Sequence, residues 1–280
     1  MKRCLTIQDY SCMGRCSLTV ALPILSAGGI ETIGLPTAVL SNHTAFDKWT
    51  YTDLSSEMVK SVDMWFNYNH HFDCIYTGYL GNGQGKIIEE IFKKLKDENT
   101  LICVDPAYGD NGKLYPGFDT EHVKEMRELL KYADVTCPNL TEAYTLLDRE
   151  YKGEKVSIDE LKEIIIALSK LGPKQIVLTG IKLKNNHVGC LSYDASSDKF
   201  DIYSTKSLKG KYHGAGDTFT SAMIASMLNG VEFNESIKIA HDFVHRSMKN
   251  NINDNVDGIL YGLEYEPNLS YLINRIKKSK

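Results

Sequence analysis

Residues 209–230 read KGKYHGAGDTFTSAMIASMLNG, and their centre is Gly214-Ala215-Gly216-Asp217. Small and apolar residues follow at once: Phe219, Ala222, Met223, Ala225, Met227 and Leu228, with the density of a buried helix. Two glycines around an alanine let the backbone turn sharply and leave no large side chain in a ligand's way. The first N–H groups of the ensuing helix lack intrahelical partners and point back into that turn. Gly214, Ala215 and Gly216 thus form a candidate hole for anionic oxygens, favoured also by the helix dipole. Asp217 is the odd member. A carboxylate repels phosphate, so a proton-accepting role suits it better. A base that takes a hydroxyl proton while backbone N–H groups hold the accepting phosphoryl group is the minimal apparatus of small-molecule phosphoryl transfer. Asp is also a favoured helix N-cap. The potential cations Lys209, Lys211 and His213 ahead of the turn tilt the reading towards a polyphosphate.

Outward from this stretch, strand and helix patterns alternate. A strand over 3–8 leads through a loop over 9–16 to a helix from residue 17, kinked or restarted at Pro23 and stopped by Gly28-Gly29. A strand region over 31–40, broken at Pro36, ends in Ser41-Asn42-His43-Thr44. A helix over 54–69 precedes a strand over 73–77 that ends in Gly78-Tyr79-Leu80-Gly81. Ile87, Ile88, Ile91, Phe92 and Leu95 mark the next helix by their spacing. A strand over 100–104 stops at Asp105-Pro106, and the glycine-rich loop 107–118 follows. Its glycines give hinge freedom, and Asp110, Lys113 and Tyr115 offer groups to grip a nucleotide, so it is a candidate lid. Helices are expected over 120–132, 140–148, 158–171, 233–249 and 269–277. Strands are expected over 134–137 and 175–179, with a hairpin pair over 187–195 and 199–205.

Such alternation predicts an α/β fold in one domain over 1–280, a mostly parallel sheet covered by helices on both faces. Ligands in such folds sit at the carboxyl ends of the strands. Polar residues gather at those ends here: Asp9, Ser41 to Thr44, Tyr79, Asp105, Asn139 and Thr179.

Composition narrows the function classes. With 280 residues, 42% hydrophobic and 24% charged, the chain has the make-up of an ordinary globular protein. A net charge of -4 argues against a nucleic-acid partner. No run approaches the length of a membrane span, and the first ten residues lack the apolar core of a signal peptide. The seven cysteines show neither zinc spacing nor a disulfide framework, which fits a reducing cytoplasm. Cys12 and Cys16 bracket the first loop and read as buried small residues or reactive thiols. Two motifs are set aside. Residues 81–86, GNGQGK, match neither phosphate-loop nor dinucleotide spacing, and His241 and His245 lack a third ligand and the expected Glu.

Together the motifs resemble the ribokinase-like superfamily, and within it the pyridoxal (vitamin B6) kinases. The match runs in order through LTIQDYSCMGRCSL, SNHTAFDKW, YTGYLG, VDPAYGDNGKLY, ADVTCPNLTEA, IVLTG and HGAGDTFTSAM. The resemblance implies a ribokinase-like sheet, a homodimer, and transfer of the ATP γ-phosphoryl group to the 5′-hydroxyl of pyridoxal, pyridoxine or pyridoxamine. Mg²⁺ is implied as well, with K⁺ or another monovalent cation. Asp217 resembles the family's base. His43, Thr44 and Tyr79 would surround the pyridine ring, and the aromatic faces of His43 and Tyr79 suit that role. Asp105, Asp110 and Asn139 would lie by the nucleotide, with Thr179 and the segment Leu208-Lys209-Gly210 lining it. Glu142 and Asp105 would serve the metal, as hard oxygen donors do. The chain departs from the family twice. Asp9 stands where the family has serine after Ile-Gln, with Ser11 two residues on, and both are candidate substrate contacts. Cys137 stands where the family has threonine before Pro-Asn. The nearest rival is a hydroxymethylpyrimidine (phosphate) kinase, against which Ser41 to Thr44 and Tyr79 speak. A catalytically silent B6-binding protein is more remote, because a mere binder has no use for Asp217.

Overall fold

The computed structural model describes residues 1–68, 70–210, 212–250 and 260–280. The first strands along the chain are β1 (Arg3–Ser11), β2 (Glu31–Leu40), β3 (Tyr51–Asp53), β4 (Cys74–Thr77) and β5 (Leu101–Val104). A small hairpin follows, β6 (Gly109–Asp110) and β7 (Lys113–Leu114). The rest are β8 (Val135–Thr136), β9 (Gln175–Leu183), β10 (His187–Asp194) and β11 (Lys199–Lys206). Apart from the hairpin, all join one sheet in the order β11-β10-β9-β8-β5-β4-β1-β2-β3. The six strands from β9 to β2 in that order are parallel, β3 and β10 run against them, and β11, antiparallel to β10, runs with them again. This is the α/β architecture with a mostly parallel sheet expected from the alternating pattern.

Helices cover both faces. On one lie α2 (Ser55–Asn67), α3 (Gly85–Leu95), α4 (Thr120–Leu130), α5 (Leu140–Leu146) and α6 (Ile158–Ser169). On the other lie α1 (Leu18–Ala27), α7 (Ala215–Leu228), α8 (Phe233–Asn250) and α9 (Leu269–Lys278). Successive side chains of a strand point to opposite faces. In β1, Leu5 and Ile7 therefore enter the first core while Cys4 enters the second. Helix α7 is buried nearly all round from Thr218 to Ser226, packed between α1 and α8. Its small residues permit this: Gly28, at the end of α1, approaches so closely that a Cβ there would stand 2.8 Å from that of Ala225.

Two prolines behave otherwise than expected. Helix α1 runs unbroken through Pro23. Proline has no N–H for the carbonyl four residues back, and that carbonyl, Thr19 O, instead accepts the Tyr265 hydroxyl at 2.9 Å. Strand β2 likewise continues through Pro36. The register with β1 slips just there, from Gln8↔Pro36 to Tyr10↔Val39, and bulges are where strands tolerate proline. Strand β1 is longer than expected and carries Asp9 and Ser11 within it rather than in a loop. The short strand β3 and the β6–β7 hairpin inside the glycine-rich loop carry too few residues for a period to show. Of the sequence expectations, the end of the 54–69 helix at Asn69 and the cation Lys211 lie outside the described residues.

Candidate active site

A cavity of ≈ 490 Å³ opens along the carboxyl ends of the parallel strands. It is lined by Asp9 and Ser11 of β1, His43 and Thr44 after β2, Tyr79 after β4, and Asp105 after β5. Asn139 and Glu142 at the start of α5, Thr179 of β9, and Gly214, Ala215, Gly216 and Asp217 at the start of α7 complete this set. The structure therefore brings together residues drawn from five strand ends and two helix starts. Asp110 and Lys113 of the hairpin line the same cavity. Leu208, Lys209 and Gly210 do not: among the described residues of that segment it is Tyr212 and His213 that face it.

Gly214 sits in the left-handed region, at φ 71°, and caps α7. A Cβ there would stand 2.0 Å from the Arg15 carbonyl oxygen, so only glycine fits. The next three residues open the helix, and the first backbone bond of α7 goes from Thr218 N–H to Gly214 O at 2.9 Å. That leaves the N–H groups of Ala215, Gly216 and Asp217 for a ligand. Gly216 is exposed, and a Cβ there would meet nothing within 4 Å. Gly216 also lines the cavity.

The Asp217 carboxylate is aimed by the first loop. Its Oδ2 accepts the backbone N–H of Ser17 at 2.9 Å. Ser17 adopts φ 51°, ψ −131°, a conformation that serine rarely takes. Strain of this kind persists only where the surroundings enforce it. Two residues earlier, the loop is tied to the far end of the chain. Arg15 N–H donates to Tyr261 O at 2.9 Å, and Arg15 Nε pairs with Glu266 Oε1 at 2.7 Å. Burial pushes the Asp217 carboxyl up to about 6, the Ser17 N–H opposes that, and the nearby charge of Asp9 adds to it. Burial chiefly, and then the charges of Asp9 and Asp217, push the Cys16 thiol well above its ordinary value, so Cys16 is not a reactive thiol.

A second pair of carboxylates lies at the other end. Asp105 accepts the Thr220 hydroxyl at 2.7 Å. Glu142 closes a capping box with Asn139 at the start of α5, and its two oxygens also take the N–H groups of Tyr108 (3.1 Å) and Asn139 (2.9 Å). Both carboxyls are raised, by burial first; Asp105 adds to the rise in Glu142, and Asp217 to that in Asp105. Two buried carboxylates of like charge are the donor set a hard divalent cation relieves. Among the described residues no group of three or more His, Cys, Asp or Glu gathers to cage a metal.

After β2, His43 is held as a neutral ring. A carbonyl can only accept, so Nε2 donates to Leu260 O at 2.8 Å, while Nδ1 accepts the Ala45 N–H at 3.3 Å. Tyr79 lines the same cavity, its ring 5.1 Å from that of Phe118, which in turn stacks on His122 at 3.9 Å. The β6–β7 hairpin is docked by Asn139 Nδ2 on Gly109 O and by Gly112 N–H on Thr141 Oγ1, both 2.8 Å.

Sequence reasoning missed Ser17, Thr220 and Tyr108. Each is an ordinary residue type whose partner lies far along the chain, so no local pattern marks it. The set-aside motifs proved structural. Gln84 caps the start of α3, and the N–H groups of Gly83 and Gly85 bond Glu125. His241 bonds Thr205 Oγ1 at 2.9 Å and His245 bonds Lys206 O.

Comparison with known proteins follows this geometry. A family model described as phosphomethylpyrimidine kinase matches residues 26–258. A pyridoxal kinase of Dictyostelium discoideum is 30% identical over 235 residues, covering 79% of this chain and 76% of that one. A Bacteroides thetaiotaomicron protein named a phosphomethylpyrimidine kinase, crystallised with pyridoxal, superposes with a TM-score of 0.93 at 38% identity, over 97% and 95% of the two chains. The pyridoxal kinase of Lactobacillus plantarum superposes with a TM-score of 0.89 at 28% identity, over 98% and 97%.

Proposed function

The chain belongs to the phosphomethylpyrimidine kinase family, and from that premise we propose that it phosphorylates the 5′-hydroxyl of pyridoxal, pyridoxine or pyridoxamine with ATP. The observation that carries this reading is one cavity that joins Asp217 and the open N–H groups of α7 to a ring-sized space beside His43 and Tyr79. The hydroxyl gives its proton to Asp217, and its oxygen attacks the γ-phosphorus. The bond to the β-phosphate oxygen breaks, and ADP leaves. The N–H groups of Ala215, Gly216 and Asp217 hold the oxygens on which charge develops. Lys113, on the hairpin, supplies a positive charge at the nucleotide end. Asp105 and Glu142 are the residues that would hold magnesium, which would supply neutralising positive charge at the phosphates. A monovalent cation, a homodimer and a cytoplasmic location complete the proposal, and no step of the chemistry rests on them. No helix among the described residues is long and apolar enough to cross a membrane.

The family model's own description favours hydroxymethylpyrimidine as a second substrate class. The test is a panel of the three vitamers and hydroxymethylpyrimidine with ATP and Mg²⁺. Turnover of the vitamers at the higher kcat/KM supports the reading, and turnover of the pyrimidine alone overturns it.

A base works only when deprotonated. With Asp217 at about 6, kcat/KM is expected to be level above neutrality and to fall as pH drops through that value, roughly tenfold per pH unit below it. Profiles flat down to pH 5 would exclude Asp217 as the base.

The hairpin leads to the lid prediction. Residues 107–118 are held by a few bonds to α5 and by the stack of Phe118 on His122. A non-hydrolysable ATP analogue is expected to slow their amide hydrogen exchange and to leave β1 and β4 unchanged. Unaltered exchange over 107–118 would mean that the hairpin is not a lid.

A further inference from the structure

We propose that Asp9 is the counter-ion of the substrate ring: its carboxylate receives the N–H of a pyridinium, so the site takes its hydroxypyridine alcohol in the ring-protonated form. This deepens the vitamer reading and rests on it.

Asp9 sits opposite the register slip between β1 and β2, only 3% exposed, and lines the same cavity as Asp217, His43 and Tyr79. Its hydrogen-bond donors are hydroxyls. Ser11, itself 0% exposed, donates to Oδ2 at 2.7 Å, and Ser17 adds a second hydroxyl. A carboxylate offers about four acceptor positions, so capacity remains.

Lys113 and His213 line the same cavity, His213 with its ring 5.0 Å from that of His43, and the groups named next are neutral or acidic. From the segment after β2, His43 is fixed as the neutral tautomer by Leu260 O and the Ala45 N–H. From the first loop, Cys16 is a neutral thiol. Tyr51 of β3 and Tyr79 after β4 are held as neutral phenols, chiefly by burial and partly by the charge of Asp9 itself. From α7, Asp217 has the same sign as Asp9. Among the described residues Asp9 forms no salt bridge with a lysine or arginine. Burying a carboxylate without a positive partner is unfavourable, and burial raises the Asp9 carboxyl accordingly. A ligand that brings a cationic N–H removes that penalty.

Two ligand groups have this chemistry, the ring nitrogen and the 4′-ammonium of pyridoxamine. The ring nitrogen is present in every vitamer, whereas the ammonium serves one alone. A flat ring held beside His43 and Tyr79 presents its edge atoms to the cavity wall, where Asp9 stands. Protonation of the ring also assists the reaction. A pyridinium withdraws electrons from its hydroxymethyl group, so the hydroxyl gives its proton to Asp217 more readily. The ring proton comes from solvent on binding and returns to it on release.

The test is the absorption spectrum of pyridoxine bound without nucleotide, for the wild type and for Asp9→Asn and Asp9→Ser. Ring-protonated and neutral hydroxypyridines have distinct bands, so the readout needs no turnover. At a pH where free pyridoxine is largely not ring-protonated in water, the wild-type complex is expected to show the protonated band. Both variants should lose that band and bind pyridoxine at least roughly tenfold more weakly, with unchanged affinity for ATP. An analogue with C–H in place of the ring nitrogen should bind wild type and variants alike. The proposal is overturned if wild-type-bound pyridoxine keeps its free spectrum, or if the variants keep the protonated band. It is overturned equally if only pyridoxamine is weakened, which would assign Asp9 to the 4′-ammonium. Failure of the wild type to bind any vitamer, with hydroxymethylpyrimidine turned over, would instead remove the functional reading on which the proposal stands.

Discussion

Asp217→Asn is expected to bind ATP normally and to lose phosphoryl transfer by roughly 10²–10⁴-fold, the usual worth of a positioned general base. The amide cannot accept the hydroxyl proton. Its side chain keeps the size of the original, and its oxygen can still take the Ser17 N–H, found at 2.9 Å in the native protein. The fold should therefore survive, and circular dichroism with nucleotide titration would show that it does. Single-turnover measurement with saturating ATP and pyridoxine isolates the transfer step. A variant within a few-fold of the native rate would mean that the proton goes elsewhere, and that the raised carboxyl at about 6 reflects burial with no catalytic use.

The second large effect separates two glycines that lie two residues apart. Gly214→Ala places a methyl group 2.0 Å from the Arg15 carbonyl oxygen at a left-handed φ of 71°. Strain at such a backbone position alone costs about 1–3 kcal/mol, and the clash adds to it. A fall in Tm of roughly 5 °C or more is expected. Gly216→Ala has no such neighbour within 4 Å. Alanine suits a helix better than glycine by about 0.5–1 kcal/mol, so Tm should hold or rise. In the proposed reading its methyl group would instead crowd phosphoryl oxygens bound at the open N–H groups. Loss of one such donor typically costs about 10²–10³ in kcat. Thermal melts and steady-state rates on both variants make the comparison. Normal activity in Gly216→Ala would remove the start of α7 from the chemistry.

Much of this site was legible because it is assembled from strand ends. The alternation of strand and helix puts the polar residues that follow each strand on one edge of the sheet. Asp9, His43, Tyr79, Asp105, Asn139 and Thr179 therefore meet in one cavity. The turn before α7 was legible because only glycine at 214 and a carboxylate at 217 explain each other there. What stayed hidden depends on distance along the chain. Ser17 looks like a plain N-cap, yet it makes no side-chain cap bond, and its backbone N–H is what orients Asp217. Pro23 and Pro36 read as breaks because their compensations, the Tyr265 hydroxyl and a slip in register, carry no local signal. Leu208, Lys209 and Gly210 were placed at the nucleotide by resemblance, and the cavity passes them by in favour of Tyr212 and His213.

The link between Arg15 and Glu266 joins positions 251 residues apart. Chains are synthesised from the amino terminus, and folding begins while synthesis continues. All the strands of the sheet lie before residue 207, so a growing chain can lay down its sheet while the residues that tether the first loop are still unmade. In that interval nothing from 260–266 holds Ser17 in its unfavourable backbone conformation, and the Asp217 carboxylate has no fixed aim. A chain stopped after α8 would lack that tether and also Tyr265, Leu272 and Ile276, which complete the second core. The tether of the first loop and the closing of that core both await the last residues to be synthesised.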